Sequence, residues 1–144
     1  MTEVERRSTV GLLMAEGCSC VIRKGDTVRI FRRQGVADLL GVLHDGSDFM
    51  RGAFVADKVV GKGAAALMVL GGVEEVYADV VSLPALRMLE DAGIAVEARL
   101  QADNIINRRG DDICPVERLC MDCATAGECL PLIEAFVSGM QNER

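Results

Sequence analysis

Apolar positions change period several times along the chain, and each change predicts an element. Residues 2 to 16 place Val10, Leu13 and Met14 on one helical face, and Gly17 closes that helix. From Cys18 to Lys24 and from Thr27 to Arg33 the period is two, and Gly25-Asp26 between them is a favoured two-residue hairpin turn. Val36, Leu39, Leu40 and Leu43 restore helical spacing up to about Gly46. Short apolar strands then alternate with helices: strand Ala53 to Ala56, helix from about Lys58 to Gly71, strand Glu75 to Val81, helix Pro84 to Ala92 stopped by Gly93, and strand Ile94 to Leu100. A polar loop over 101 to 113 carries an Asn-Arg-Arg-Gly turn. Two helices, about Pro115 to Cys123 and Cys129 to Ser138, finish the chain.

Strand, helix, strand, helix, strand implies right-handed parallel crossovers, so the expected fold is α/β with three parallel strands and the antiparallel hairpin alongside them. The first two of these strands are mostly apolar, as central parallel strands are. In the last, Glu97 and Arg99 alternate with apolar residues, which suits a half-exposed strand. At 144 residues one domain over 1–144 is the simplest organisation.

The stretch from Asp57 to Gly71, DKVVGKGAAALMVLG, conflicts with its own helical pattern. Lys58 and Lys62 at a helix start oppose the macrodipole, by roughly 0.3 to 1 kcal/mol each. Gly61 and Gly63 each cost about 1 kcal/mol against alanine. Such conflicts mark functional or closely packed sites. One reading is an anion over the helix start, held by backbone N–H groups and by Lys58 and Lys62 on a shared i, i+4 face. The other is that the glycines let the helix lie close on a sheet, with the lysines in water. A P-loop is excluded, because no glycine stands five residues before Gly61 and Gly63 follows Lys62 where Ser or Thr would be required.

Sites in open α/β sheets lie beyond the carboxyl ends of the parallel strands. Asp57 ends one such strand, while Asp79 and Ser82 lie near the end of the next, so Asp57, Lys58, Lys62 and Ser82 are expected around one crevice. Ser82 also reads as an ordinary helix cap ahead of Pro84. Cys114-Pro115-Val116-Glu117 reads as another helix start, with cysteine as cap and Glu117 as the reciprocal half of the cap. The dipole favours a thiolate there, which makes Cys114 the candidate nucleophile or redox residue; the alternative is a structural, unreactive cap. Cys114, Cys120, Cys123 and Cys129 form C-x5-C-x2-C-x5-C; four thiols so close could hold zinc or an iron–sulfur cluster, but the series lacks the two C-x2-C pairs of a zinc ribbon, so no metal site is assigned. Cys120 and Cys123 fit one helical face as small buried hydrophobes. Cys18 and Cys20 are expected in the core, and His44 in solvent.

Composition narrows the function classes. Half the residues are apolar, but only four Phe and one Tyr are present and no Trp, so the core rests on aliphatic side chains. A net charge of -6 argues against general nucleic-acid binding. The amino terminus lacks a signal-peptide pattern, and no apolar run is long enough to span a bilayer. A soluble cytoplasmic protein with largely reduced cysteines is the expectation.

Asp57 to Lys62 followed by an Ala-rich helix, Tyr77 to Ser82, Ile106-Asn107-Arg108 and Cys114 to Glu117 occur in this order. Over about residues 8 to 135 the chain thereby resembles a small family of uncharacterised bacterial and archaeal proteins, a domain of unknown function with a cytidine-deaminase-like fold. The resemblance implies a three-layer α/β/α sandwich with a mixed sheet. It does not imply zinc chemistry: the H-x-E and P-C-x-x-C helix starts of zinc deaminases are replaced here by residues 57–62 and 81–86, which hold no His, Cys or Glu.

Three functions follow as expectations. In the first, an anionic, possibly nucleotide-like small molecule is bound or sensed by Lys58 and Lys62, with Asp57 orienting a ligand hydroxyl or Lys58, and Asn107 and Arg108 closing the crevice. In the second, Cys114 serves a thiol enzyme or redox-sensitive protein. In the third, the terminal helices pack on a protein partner. No cofactor and no oligomeric state follow from the residues.

Overall fold

The computed structural model describes residues 1–15, 17–33, 36–107 and 109–142, the last three of these by backbone alone. In chain order the elements are α1 (Glu3–Ala15), β1 (Cys20–Lys24), β2 (Thr27–Phe31), α2 (Ala37–His44), β3 (Phe54–Val60), α3 (Lys62–Gly71), β4 (Glu75–Ser82), α4 (Leu83–Asp91), β5 (Ala95–Ala102), α5 (Pro115–Leu119) and α6 (Ala126–Asn142). The five strands form one sheet in the order β2-β1-β3-β4-β5. Its β2-β1 and β1-β3 pairs are antiparallel, and its β3-β4 and β4-β5 pairs are parallel. This is the mixed α/β sheet that the alternation of elements implies, and Lys24 opposite Thr27 fixes the two-residue hairpin at Gly25-Asp26.

Period-two alternation on β3 separates two apolar layers. Phe54 and Ala56 join Leu13, Cys18 and Val21 under α1, while Val55 belongs to the larger core with Leu39, Leu67, Leu89 and Ile133. One face of the sheet is therefore covered by α1 alone, and the other by the remaining helices. Pairing sets the burial of the strands. Val55, Ala56 and Val60 of β3 are fully buried, whereas edge strand β5 keeps Glu97, Arg99 and Gln101 in solvent.

The central boundary differs from the sequence expectation. β3 continues through Asp57, Lys58, Val59 and Val60, and α3 begins only at Lys62 with Gly61 as its N-cap. Lys58 and Lys62 accordingly do not share a helical face. The β-branched pair Val59-Val60 extends the strand and pairs with Val80-Val81. Gly63 is a close-approach position, but against a helix rather than the sheet: a Cβ there would fall on the Val116 side chain of α5. At the other end of α3, Gly72 takes φ 79°, the left-handed C-terminal conformation, and its N–H bonds back to Met68 and Val69 carbonyls.

The closing helices also shift. α5 ends at Leu119, so Cys120 is its C-cap and Cys123 lies beyond it in the connection rather than on one helical face. α6 starts three residues earlier than the apolar pattern suggests, with Pro131 inside its first turns. His44 is exposed at the end of α2, and its Nε2 lies 2.7 Å from Glu134 Oε2 on α6.

Candidate functional site

A crevice of about 660 Å³ opens at the carboxyl end of β3. Its walls come from separate parts of the chain: the starts of β1 and α2, the end of β3, the 105–109 loop, the start of α5 and the far half of α6. Val36, Leu39, Val116, Phe136 and Val137 supply apolar lining. Arg32, Arg33, Lys58 and Arg109 supply cationic groups, with Asp38 and Asp57 as their counterparts. Arg33 Nε bonds Asp38 Oδ1 at 2.7 Å, so that pair fixes the α2 side of the rim. A volume of this size suits a small organic ligand.

With Glu117, Asp57 is one of two buried carboxylates that line the crevice. It is 8% exposed and stands opposite Cys20 in the β1-β3 register. Desolvation pushes its carboxyl up to about 7, against weak opposition from the Val59 and Lys58 backbone N–H groups. The same burial, reinforced by Asp57, drives the Cys20 thiol well above its ordinary range. Lys58 does not relieve Asp57: its charge acts instead on Asp79, which is held low chiefly by its bond to Arg99.

The crevice wall also includes a carboxylate whose role no local pattern announces. Glu117 is 2% exposed, and its Oε1 accepts from the Lys62 backbone N–H at 2.7 Å and from Ser82 Oγ at 3.0 Å. Its Oε2 accepts from the Ile105 N–H. Instead of closing its own helix, this side chain caps α3, ties in the Ser82 cap of α4 and pins the loop that follows β5. An internal anion thus occupies the α3 N-terminus, and it satisfies the positive end of the helix dipole from within the fold.

A family model for a domain of unknown function, DUF1893, matches residues 8–137. The chain belongs to the DUF1893 family. A solved DUF1893 family protein from Thermotoga maritima, TM1506, is 20% identical, with a TM-score of 0.86 over 94% of this chain and 91% of that one. RibD of Acinetobacter baumannii is 18% identical with a TM-score of 0.44, covering 66% of this chain and 34% of its own. No curated protein matches the chain.

In this DUF1893 chain the residues singled out from sequence separate into two groups. Asp57, Lys58, Asn107 and Cys114 line the crevice together. Lys62 and Ser82 stand behind it. The buried Lys62 ammonium donates to the Met121 and Cys123 carbonyls at 3.1 and 2.6 Å, and Ser82 Oγ also accepts the Ala85 N–H as the cap of α4. Arg108 lies outside the described residues. Asn107 accepts the Asp111 N–H through its own amide oxygen and donates to the Asp111 carboxylate, so its turn is self-supported. Cys114 precedes α5 without a side-chain capping bond. Arg32, Arg33, Asp38 and Arg109 are crevice residues not assigned from sequence; the Arg-Arg and Arg-Gly dipeptides were visible signals, but their convergence is tertiary. Among the described residues no group of three or more His, Cys, Asp and Glu is arranged to hold a metal ion, and no helix is long and apolar enough to cross a membrane.

Proposed function

We propose that the crevice binds a small anionic molecule of nucleotide-like size, and that the protein acts as a binding or sensing module. The observation that carries this reading is the gathering of Arg32, Arg33, Lys58 and Arg109 around one apolar-lined cavity in a chain whose net charge is -6. Cations concentrated at a low-dielectric cleft draw in anions against the general field of the molecule. Lys58 and Arg109 hold the anionic group, Asn107 closes the loop side, and Asp57 at the base accepts a donor from the ligand body. Lys62 and Ser82 serve the site indirectly, by fixing Glu117 and the α5-α6 connection. The cytidine-deaminase-like resemblance supports a nucleotide-like body, while the missing zinc-deaminase motifs leave binding without that chemistry.

Mass spectrometry of fresh protein under native and denaturing conditions tests the reading. A non-covalent anion released on denaturing is expected. A thermal-shift panel of nucleoside monophosphates and dicarboxylates then gives a ligand whose affinity falls at least tenfold in Lys58→Glu and in Arg109→Glu, about 1.4 kcal/mol. Bare protein together with a panel silent at millimolar concentration would sink the proposal.

A second reading is favoured by one placement: Cys114 lines the same crevice and is half-buried rather than sealed. A thiol enzyme or redox-sensitive protein using Cys114 would show rapid alkylation of that cysteine, slowed by the bound anion. Ligand binding unchanged in Cys114→Ser favours the binding module.

A further inference from the structure

The two edges of the sheet are finished differently. β2 is five residues long and is tied to the 45–49 loop through Arg29, whose Nη1 bonds Asp45 at 3.4 Å and whose guanidinium lies 5.0 Å from the Phe49 ring centre. β5, at the opposite edge, has eight residues, carries no proline or lysine, and pairs with β4 without a bulge, so none of the usual devices blunts it. Among the described residues no hydrogen bond from outside β4 reaches its main chain. Its outer row of N–H and C=O groups is therefore open to another strand. Glu97, Arg99, Leu100 and Gln101 are exposed along it. Glu97 has no hydrogen-bond or ion-pair partner among the described residues. Arg99 gives Nε and Nη2 to the Asp79 carboxylate at 2.6 and 3.2 Å, which leaves Nη1 for a second carboxylate.

In an antiparallel pair, outward-facing backbone groups must meet outward-facing ones, so the two-fold axis of a symmetric pair of β5 strands falls on a residue. Charge then selects the residue. An axis at Glu97 sets that side chain against its own copy, and an axis at Arg99 does the same; like charges directly opposite repel. An axis at Ala98 places Glu97 opposite Arg99 of the second copy, twice by symmetry, and Leu100, 50% exposed, opposite Val96. An axis beyond these residues brings no opposite charges together. We propose that β5 is a homodimerisation edge, at which a second copy of this chain pairs antiparallel about Ala98 and joins the two five-stranded sheets into one. The two-fold contact closes on itself, so assembly stops at the dimer. It is one strand wide, below the size of a standard interface, and a dissociation constant of about 10 to 100 µM is expected.

The test is sedimentation equilibrium of the full chain from about 1 µM to about 1 mM, with hydrogen exchange measured at both ends of the range. Wild type is expected to pass from monomer to dimer, with alternate amides of residues 95 to 102 exchanging more slowly at the high concentration. Glu97→Arg and Arg99→Glu each set like charges opposite one another and are expected to weaken the dimer roughly tenfold or more. An equimolar mixture of these two variants puts opposite charges back at both positions and is expected to dimerise as wild type does. Circular dichroism melts verify that each variant is folded, and a restored mixed dimer shows it independently. A monomer throughout the range, which would leave the edge to a partner of another kind, overturns the proposal. So does a dimer whose β5 amides exchange unchanged, a single variant that associates like wild type, or a mixture that stays monomeric.

Discussion

Glu117 illustrates how much one side chain can hold. Its two oxygens receive donors from Lys62, Ser82 and Ile105, all of them buried. Deleting the carboxylate leaves these donors unsatisfied, so Glu117→Ala is expected to destabilise the protein by about 3 to 5 kcal/mol in urea unfolding. Glu117→Gln keeps the shape but turns an amide nitrogen towards donors, and is expected to recover only part of that loss. Gly63→Ala forces a methyl into Val116 and is expected to cost about 1 to 3 kcal/mol by the same measurement. Asp57 gives a pH signature. Its folded pKa, about 7, lies above the unfolded value near 3.8, so the folded state binds the proton more tightly. The stability this provides is complete below about pH 4 and is lost as pH rises to about 7. Relative to wild type, Asp57→Asn is therefore expected to gain on the order of 4 kcal/mol between pH 4 and pH 8 in chemical denaturation, because the amide has no charge to desolvate. A constant difference across that range would show that Asp57 keeps an ordinary carboxylate environment.

At the scale of elements, most boundaries follow from local chemistry, and the exceptions have local causes. The hairpin at Gly25-Asp26 is written in its turn residues, and α4 is written in Ser82 followed by Pro84. The β3-α3 boundary is harder because Asp57 and Lys58 resemble the polar start of a helix. The signal that favours a longer strand is Val59-Val60 followed by Gly61, two β-branched residues and then a permissive N-cap. Recognising it removes the apparent conflict of two lysines at one helix start. Lys62 alone remains there, and its charge is carried away from the dipole to carbonyls of the α5-α6 connection. Lys62→Met keeps the stem packed while removing those bonds, and is expected to lower stability by about 1 to 3 kcal/mol. It is also expected to increase hydrogen exchange at residues 120 to 125, while leaving crevice ligands within a few-fold of their wild-type affinity.

For the whole molecule, the family follows from the order of motifs along the chain, and its fold agrees with the element alternation. The crevice was only partly legible. Topology placed Asp57, Lys58, Lys62 and Ser82 near the strand ends, but of these only Asp57 and Lys58 line the crevice, and Arg32 and Arg33 reach it from the other side of the switch between antiparallel and parallel pairing. Glu117 could be named as a cap but not assigned to α3, because its partners lie 12 to 55 residues away. Charge distribution makes one further prediction at this scale. With acidic groups prevailing overall and cations gathered at the rim, affinity for an anion is expected to fall as salt is raised from low to physiological strength, in titrations at fixed pH.

The Glu117 anchor also sets an order of assembly. All five strands are complete by Ala102, so during synthesis the sheet can form while α5 is still unmade. Until Glu117 emerges, the first turn of α3 has no carboxylate to receive it and the Ile105 segment has nothing to fasten to. A segment made after the sheet is thus the keystone of what precedes it, and a nascent protein arrested before α5 would hold a finished sheet with an unfinished core.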